Sequence, residues 1–241
     1  MEIKVSVLLC VFNGQKSLAR AIESILEQDF TNFEFLIIND GSTDNTENII
    51  YRYLQKDSRI KYFFKKHSGL TNSLIYGLRK ASGEWIARID DDDFSKKNRL
   101  SKQLKFVEKN RKIVLLGSNF SIIKDQRITY RSKLPLSHSF LVENLRKSRG
   151  FFPHSSAFFS RRKAIQVGGY RSFFIKSQDH DLWLRLSENY QIACCKENLV
   201  SIHSHRDRIT ENSIGYPQYI YKFAAIFSYF ARQERNYFLE K

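Results

Sequence analysis

Three short apolar runs early in the chain, residues 5–12, 33–38 and 85–89, each stop abruptly at Asn or Asp, with segments of helical periodicity between them. Runs of this length, rich in Val, Ile, Leu and Phe, suit strands buried on both faces. After the first, Asn13-Gly14 needs a turn of unusual backbone angles, Ser17 is placed to cap a helix, and Leu18, Ala21, Ile22, Ile25 and Leu26 recur at helical spacing up to Gln28. A second amphipathic segment, 44–55, offers Ile49, Ile50, Tyr53 and Leu54 as its buried side. Residues 60–64 read as a third strand and 70–80 as a third helix, which makes 85–89 the fourth strand. Strands alternating with helices build crossover units, hence an α/β fold with a mostly parallel central sheet flanked by helices. Such sheets bind ligands beyond the carboxyl ends of their strands, near a switch in strand order. Asn13, Asp40 and Asp90 all fall at those ends.

The fourth run ends in four consecutive carboxylates, Asp90-Asp91-Asp92-Asp93. Like charges packed together repel unless something positive sits among them, and a cation is the natural partner. Strand alternation carried through the run sends Asp90 and Asp92 to one side and Asp91 and Asp93 to the other. Asp90 and Asp92 then suit one hard divalent ion bound through oxygen, Mg2+ or Mn2+. The competing reading is a solvated acidic turn that caps a helix starting near Ser95.

Beyond this point the pattern is less regular. Residues 97–110 form a helix with Leu100, Leu104 and Val107 inward, 113–116 a strand, and 121–130 a strand or hairpin. A helix over 137–147 carries little apolar surface, 151–159 reads as a buried strand containing Pro153 and His154, and Gly168-Gly169-Tyr170 marks a turn. Residues 179–190 form a strong helix with Leu182, Trp183, Leu186 and Tyr190 spaced for burial. At 241 residues the chain suffices for one sizeable core. Three cysteines, Cys10, Cys194 and Cys195, provide neither a disulfide framework nor metal-ligand spacing, which favours a reducing cytoplasm. No run has the length of a membrane span or the flanks of a signal peptide.

Four separated blocks, in order and spacing, resemble the family 2 glycosyltransferases: residues 5–13, then Ile37-Ile38-Asn39-Asp40-Gly41-Ser42-Thr43-Asp44, then Ala87-Arg88-Ile89-Asp90-Asp91-Asp92-Asp93, then Gln178-Asp179-His180-Asp181-Leu182-Trp183-Leu184-Arg185-Leu186. The resemblance implies a GT-A fold and transfer of a sugar, with inversion, from a nucleotide diphosphate donor, UDP being commonest, to a glycan or lipid-linked acceptor. It divides the chain into a nucleotide-sugar-binding half (1–120), an acceptor-binding half that carries the catalytic base (121–212) and a C-terminal amphipathic helix (213–241). It places Asp40 on the base or ribose, with Val11 and Asn13 lining the same pocket. Asp90 and Asp92 form the aspartate-any-aspartate pair for ribose and metal-bound diphosphate. Asp179 becomes the catalytic base, with Asp181 its nearest competitor. His205 becomes a second metal ligand, and His154 and Asp181 stand on the acceptor side.

The sequence departs from the family pattern at Asn39 (commonly Asp), Gln178 (commonly Glu), His180 (commonly an aromatic) and His203 (commonly Arg), the last weakening the case for His205. Lysine and arginine number 40 against 25 acids, a net charge of +15, so the chain needs a negatively charged partner. Dispersed lysines and the lack of any zinc, helix-turn-helix or RNA-recognition signature argue against nucleic acid. A single glycine in Val11-Phe12-Asn13-Gly14 argues against a sugar-phosphate nucleotidyltransferase, which opens on a glycine-rich loop. An inactive glycosyltransferase-like binding module remains an alternative. Tyr219, Phe223, Ile226, Phe227 and Phe230 share one helical stripe after Pro217, a pattern that fits core packing, a dimer contact or the surface of an anionic membrane. The expected location is the cytoplasm, with peripheral attachment to the inner face of the cell membrane.

Overall fold

The computed structural model describes residues 2–204 and 216–239, with side chains of the second segment described over 218–234. Strand β1 (Val5–Val11) lies parallel to β2 (Phe33–Asn39) on one side and to β4 (Trp85–Arg88) on the other, and β3 (Ile60–Phe64) extends the sheet beyond β2. Helices α1 (Leu18–Leu26), α2 (Thr46–Leu54) and α3 (Leu70–Lys80) make the crossovers. The chain builds outward from β1 through β2 to β3, then returns to place β4 on the opposite side of β1. The switch point between β1 and β4 therefore opens a crevice at their carboxyl ends.

The second half continues the same sheet. It supplies β5 (Phe94–Ser95), α4 (Arg99–Lys109), β6 (Ile113–Lys124), β7 (Arg127–Arg131), α5 (His138–Arg146), a 3-10 turn (His154–Ser156), β8 (Phe158–Ser160) and α6 (Arg161–Gln166). After these come α7 (Gln178–Asn189), β9 (Gln191–His203) and α8 (Tyr216–Leu239). The strand order is β3-β2-β1-β4-β8-β6-β9-β5, with β7 paired to β6. Short β8 runs antiparallel to both β4 and β6, whereas β6 and β9 are parallel. Alternation splits the core into two layers. Val7 and Leu9 face one cluster with Ile22, Ile25 and Leu100, while Leu8 and Cys10 face the other with Leu74, Leu78 and Trp183.

Several local expectations need correction. Residues 151–159 are not one strand: Pro153 has no N–H to pair, its carbonyl accepts the Ser156 N–H at 2.9 Å, and only Phe158–Ser160 pairs as β8. Strand β6 runs on past residue 116 to Lys124 and returns as a hairpin through Asp125 and Gln126, both at positive φ. Ser17 occupies the position before α1, but its side chain makes no capping bond; the Gly14 carbonyl takes the Ser17 and Leu18 N–H groups instead. The acidic run caps no helix, since α4 begins only at Arg99. Helix α5 has more apolar contact than its polar sequence suggested, burying Leu141 and Leu145.

Helix α8 narrows the three readings of its aromatic stripe. Tyr219, Phe223, Phe227 and Phe230 are exposed; Ala225 and Tyr229 are buried, Ile226 partly so, and Arg232 is bonded to Glu188 of α7. Core packing is therefore not what the aromatic stripe does.

The 3-10 turn is held against β6 by close packing at one glycine. A Cβ on Gly117 would lie 2.0 Å from the buried Phe152 ring. Gly117→Ala is therefore expected to destabilise the protein by roughly 1–3 kcal/mol through overpacking. Chemical denaturation measures this, and an unchanged midpoint would show that Phe152 moves aside freely.

Candidate active site

The loops after β1 and β2 are stitched to each other. Asn13, in the left-handed region at φ 56°, receives the Thr43 N–H on Oδ1 at 2.8 Å and donates its own N–H to Ser42 Oγ at 2.9 Å. Gln15 N–H reaches Asp44 at 3.0 Å, and the Val11 carbonyl accepts the Asp40 N–H at 2.8 Å. Gly41, at φ +78°, passes so close to the next loop that a Cβ would meet the His67 backbone nitrogen at 2.8 Å. Asn39 is buried and does what an aspartate there cannot. Its amide donates to Tyr62 Oη at 3.1 Å while the Tyr62 hydroxyl donates to Glu47, and its Oδ1 accepts the Ser42 N–H.

Asp40 is buried, and its carboxylate is already engaged. Lys65 Nζ, Ser73 Oγ at 2.8 Å, Gly69 N–H at 2.9 Å and Ser68 N–H at 3.1 Å all donate to it, and His67 Nδ1 lies 2.9 Å away. Burial alone would raise its pKa, but Lys65 and these donors outweigh that and hold it below the usual carboxylate range. Asp40 thus closes the loop before α3 around the crevice. The groups it leaves presented at that mouth are Phe12 and His67, both exposed, with ring centroids 4.0 Å apart.

The acidic run is a turn, not a continued strand. Asp93 N–H bonds the Asp90 carbonyl, so strand alternation ends at Arg88, and Asp90 and Asp93 converge on one hydroxyl. Both meet Ser155 Oγ, at 2.8 and 2.5 Å, and the single hydroxyl proton serves one of them at a time. The Asp90 N–H donates back to Ser155 Oγ at 3.0 Å. Asp93 is buried and also accepts the His203 N–H at 3.2 Å, a structural role. Fully buried Arg88 reaches from the core to Asp90 Oδ1 and to the Leu8 carbonyl at 3.2 Å. Arg99, equally buried, donates to the carbonyls of Arg88 and Ala157. Asp90 is pinned from behind and keeps 26% of its side chain exposed. Asp92 is half-buried, and its carbonyl accepts from Arg20 at 3.0 Å.

This turn fits a hard cation. The Asp91 carboxyl is pushed up to about 7 by burial and by the charges of Asp92 and Asp90, the signature of negative potential that nearby Arg88 only partly offsets. Oxygen donors are what Mg2+ and Mn2+ prefer. Among the described residues no further acid or histidine joins Asp90 and Asp92 in a three-ligand cluster, and His205 lies outside the described residues.

The helix carrying the proposed base enters from the other side. Ser177, in the left-handed region at φ 56°, precedes α7, and Asp179 stands in its first turn, half-buried. Asp179 Oδ1 accepts the His180 N–H at 2.8 Å; among the described residues its second oxygen takes no hydrogen bond. Asp181 is the opposite case. It is fully buried, Arg171 grips both its oxygens, and Arg185 bonds Oδ2 at 2.6 Å. That corrects its placement as rival base and acceptor contact, because a carboxylate saturated by two guanidiniums has no oxygen left for a substrate proton. Arg185 also holds the carbonyls of Val167 and Gly169, fixing the Gly-Gly turn that presents Tyr170.

His154 joins the two halves. Its Nε2 lies 2.8 Å from Tyr170 Oη, its ring packs edge-on to Trp183, and burial, reinforced by Arg88, lowers its pKa to about 4 against the opposing pull of Asp179 and Asp90. It is a buried, neutral pivot within the electrostatic reach of both carboxylates rather than a contact for the acceptor. His180, where the family commonly has an aromatic, is buried. Sequence reasoning assigned no role to Ser155, Arg88, Lys65, Arg171 or Arg185. Of these, only Arg88 and Arg185 carried a signal, as charges inside apolar runs.

Comparison with known proteins fits this geometry. The family model described as Glycosyl transferase family 2 matches residues 6–169. The putative glycosyltransferase EpsE of Bacillus subtilis (strain 168) is 32% identical over 218 residues, covering 88% of this chain and 77% of its own length. The O-antigen biosynthesis glycosyltransferase WbnJ of Escherichia coli is 26% identical over 216 residues, covering 88% and 84%. In fold, the chain resembles S. aureus TarS 1-349 in complex with UDP-GlcNAc, with a TM-score of 0.73, 18% identity and coverage of 88% of this chain and 61% of that one. It also resembles the mannosyltransferase PcManGT from Pyrobaculum calidifontis in complex with GDP-Man and Mn2+, with a TM-score of 0.67, 17% identity and coverage of 96% and 64%. The chain spans less than two thirds of both solved chains and of several curated relatives, down to 18% of two of them. The sheet, curled and flanked by helices, is the GT-A fold.

Proposed function

The chain belongs to glycosyl transferase family 2, and from that premise we propose that it moves a sugar, with inversion, from a nucleoside diphosphate donor to a hydroxyl of a glycan or lipid-linked acceptor in surface polysaccharide synthesis. The observation that supports this reading is that Asp90, held by Arg88 and Ser155, and Asp179, bonded on Oδ1 to the His180 N–H, both act electrostatically on the buried, hydrogen-bonded His154–Tyr170 pair. The acceptor oxygen attacks the anomeric carbon and the bond to the diphosphate breaks on the opposite face. Asp179 takes the acceptor proton as the new bond forms. Asp90 and Asp92 would hold Mn2+ or Mg2+, which when bound supplies Lewis-acid stabilisation of the departing diphosphate. Arg88 and Ser155 keep Asp90 directed at that position, and Phe12 with His67 offers a ring surface to the base. UDP is the preferred nucleotide because it is the commonest in the family; among the fold neighbours TarS is solved with UDP and PcManGT with GDP-Man.

Thermal denaturation with nucleoside diphosphates, with and without Mn2+, tests the reading. At about one hundred times the dissociation constant, UDP with Mn2+ is expected to add about 2.7 kcal/mol. The gain should vanish without the metal and in Asp92→Ala. Indifference to every nucleoside diphosphate would leave an inactive module.

A further inference from the structure

We infer that the outward face of α8, together with the loop that leads into α7, is a docking surface for an anionic lipid interface. Ile220, Phe223, Phe227 and Phe230 recur every three or four residues along one side of α8, with Tyr219 beside them, and all are exposed, Phe227 at 72%. The patch does not end with the helix. Phe173 and Ile175, exposed at 69% and 62%, flank buried Phe174 in the loop before α7, and the Phe173 ring lies 6.0 Å from Tyr221 of α8. Ser177 Oγ bonds the Gln218 carbonyl at 3.3 Å, so loop and helix form one surface, and that surface reaches to within two residues of Asp179. Apolar side chains arrayed this way on a monomer mark a contact site.

Charge decides the occupant. Residues 121–176 contain twelve lysines and arginines against two acids, and of these Arg146 and Arg171 lie against the aromatic face. Arg146 of α5 stacks over Phe230 at 4.9 Å, and Arg171 over Phe174 at 4.8 Å, which puts guanidiniums at the rim of the aromatic face. A second copy meeting this face about a twofold axis would bring like-charged rims together. A bilayer surface with anionic headgroups has the opposite sign and accepts aromatic rings at the headgroup level. Among the described residues no helix is long and apolar enough to cross a membrane, so the face lies on the bilayer. The surface stands independently of the transfer chemistry. Its use, presenting Asp179 to acceptors borne on the membrane, rests on the proposed function.

Flotation with vesicles of phosphatidylcholine, with and without phosphatidylglycerol, tests the inference on the whole chain. Binding is expected only to the anionic vesicles and is expected to weaken as salt rises. The double variant Phe223→Ser/Phe227→Ser, altered only at exposed positions, should bind at least about tenfold more weakly, with its melting temperature and its UDP–Mn2+ stabilisation unchanged. Failure of the protein to float with anionic vesicles, or undiminished binding by the variant, would overturn the surface. So would sedimentation showing a dimer that the variant converts to monomer. Loss of the nucleotide response in the wild-type protein would strike the proposed chemistry and leave the docking result standing.

Discussion

Asp179→Asn is expected to lower the turnover of sugar transfer by about 10²–10⁴-fold, the usual contribution of a positioned general base, while UDP–Mn2+ binding stays intact. Two features single out this carboxylate. Its Oδ1 is bonded only to the neighbouring His180 N–H, and its other oxygen takes no hydrogen bond among the described residues, whereas Asp40 is committed to Lys65 and its loop, Asp93 to Ser155 and His203, and Asp181 to two arginines. The asparagine amide is of the same size and still accepts the His180 bond through its oxygen, so α7 should not move. What disappears is the ability to hold a proton in the transition state. Release of nucleoside diphosphate in the presence of an acceptor reads the effect, and thermal stabilisation by UDP and Mn2+ reads donor binding. A split in which turnover falls and donor affinity holds is what removal of a transition-state contact looks like. An Asn variant with full activity would move the base elsewhere, and Asp181 is not the place, given its two guanidinium partners.

The crossover half was legible because β1, β2 and β4 are buried on both faces and the chain leaves each of them at an Asn or Asp, while β3 is a part-exposed edge strand. Burial demands continuous apolar runs, and those are the clearest signal a sequence carries. The position of Asn13, Asp40 and Asp90 at the carboxyl ends of strands followed from that order alone. The later half was harder for physical reasons. Strand β8 has three residues, too few for any period, and the turn before it is set by Pro153 and the packing of Phe152 on Gly117, a contact made across the sheet. The pairing of Asp90 with Asp93 was hidden because a turn replaces strand alternation one residue after β4. In α8 the aromatic residues were visible and their direction was not. Ala225 and Tyr229 are buried on the inner face with Tyr221 packed beside them, and Phe223, Phe227 and Phe230 turn outward.

Asp181→Ala should be the most destabilising single change near the site, by about 3–5 kcal/mol, because it strands a buried charge. For a chain of this length that corresponds to a melting temperature lower by roughly 6–20 °C. The two arginines do not suffer equally. Arg171 is 36% exposed and can be hydrated when its partner is removed, but Arg185 is 6% exposed and cannot. Most of the cost therefore sits on Arg185, and Asp181→Leu combined with Arg185→Met should recover part of the loss, as replacement of a buried pair by apolar residues often does. Recovery should be incomplete, since Arg185 also satisfies the Val167 and Gly169 carbonyls, which would be left without a donor. Those carbonyls belong to the turn that presents Tyr170 to His154. The recovered double variant is thus expected to fold and to bind UDP with Mn2+, yet to transfer sugar more slowly than wild type, through a loosened α7 and a displaced Asp179. Equal destabilisation by Asp181→Ala and by the double variant would show instead that Arg185 reaches water, and that the cost lies in the bonds lost and not in the stranded charge.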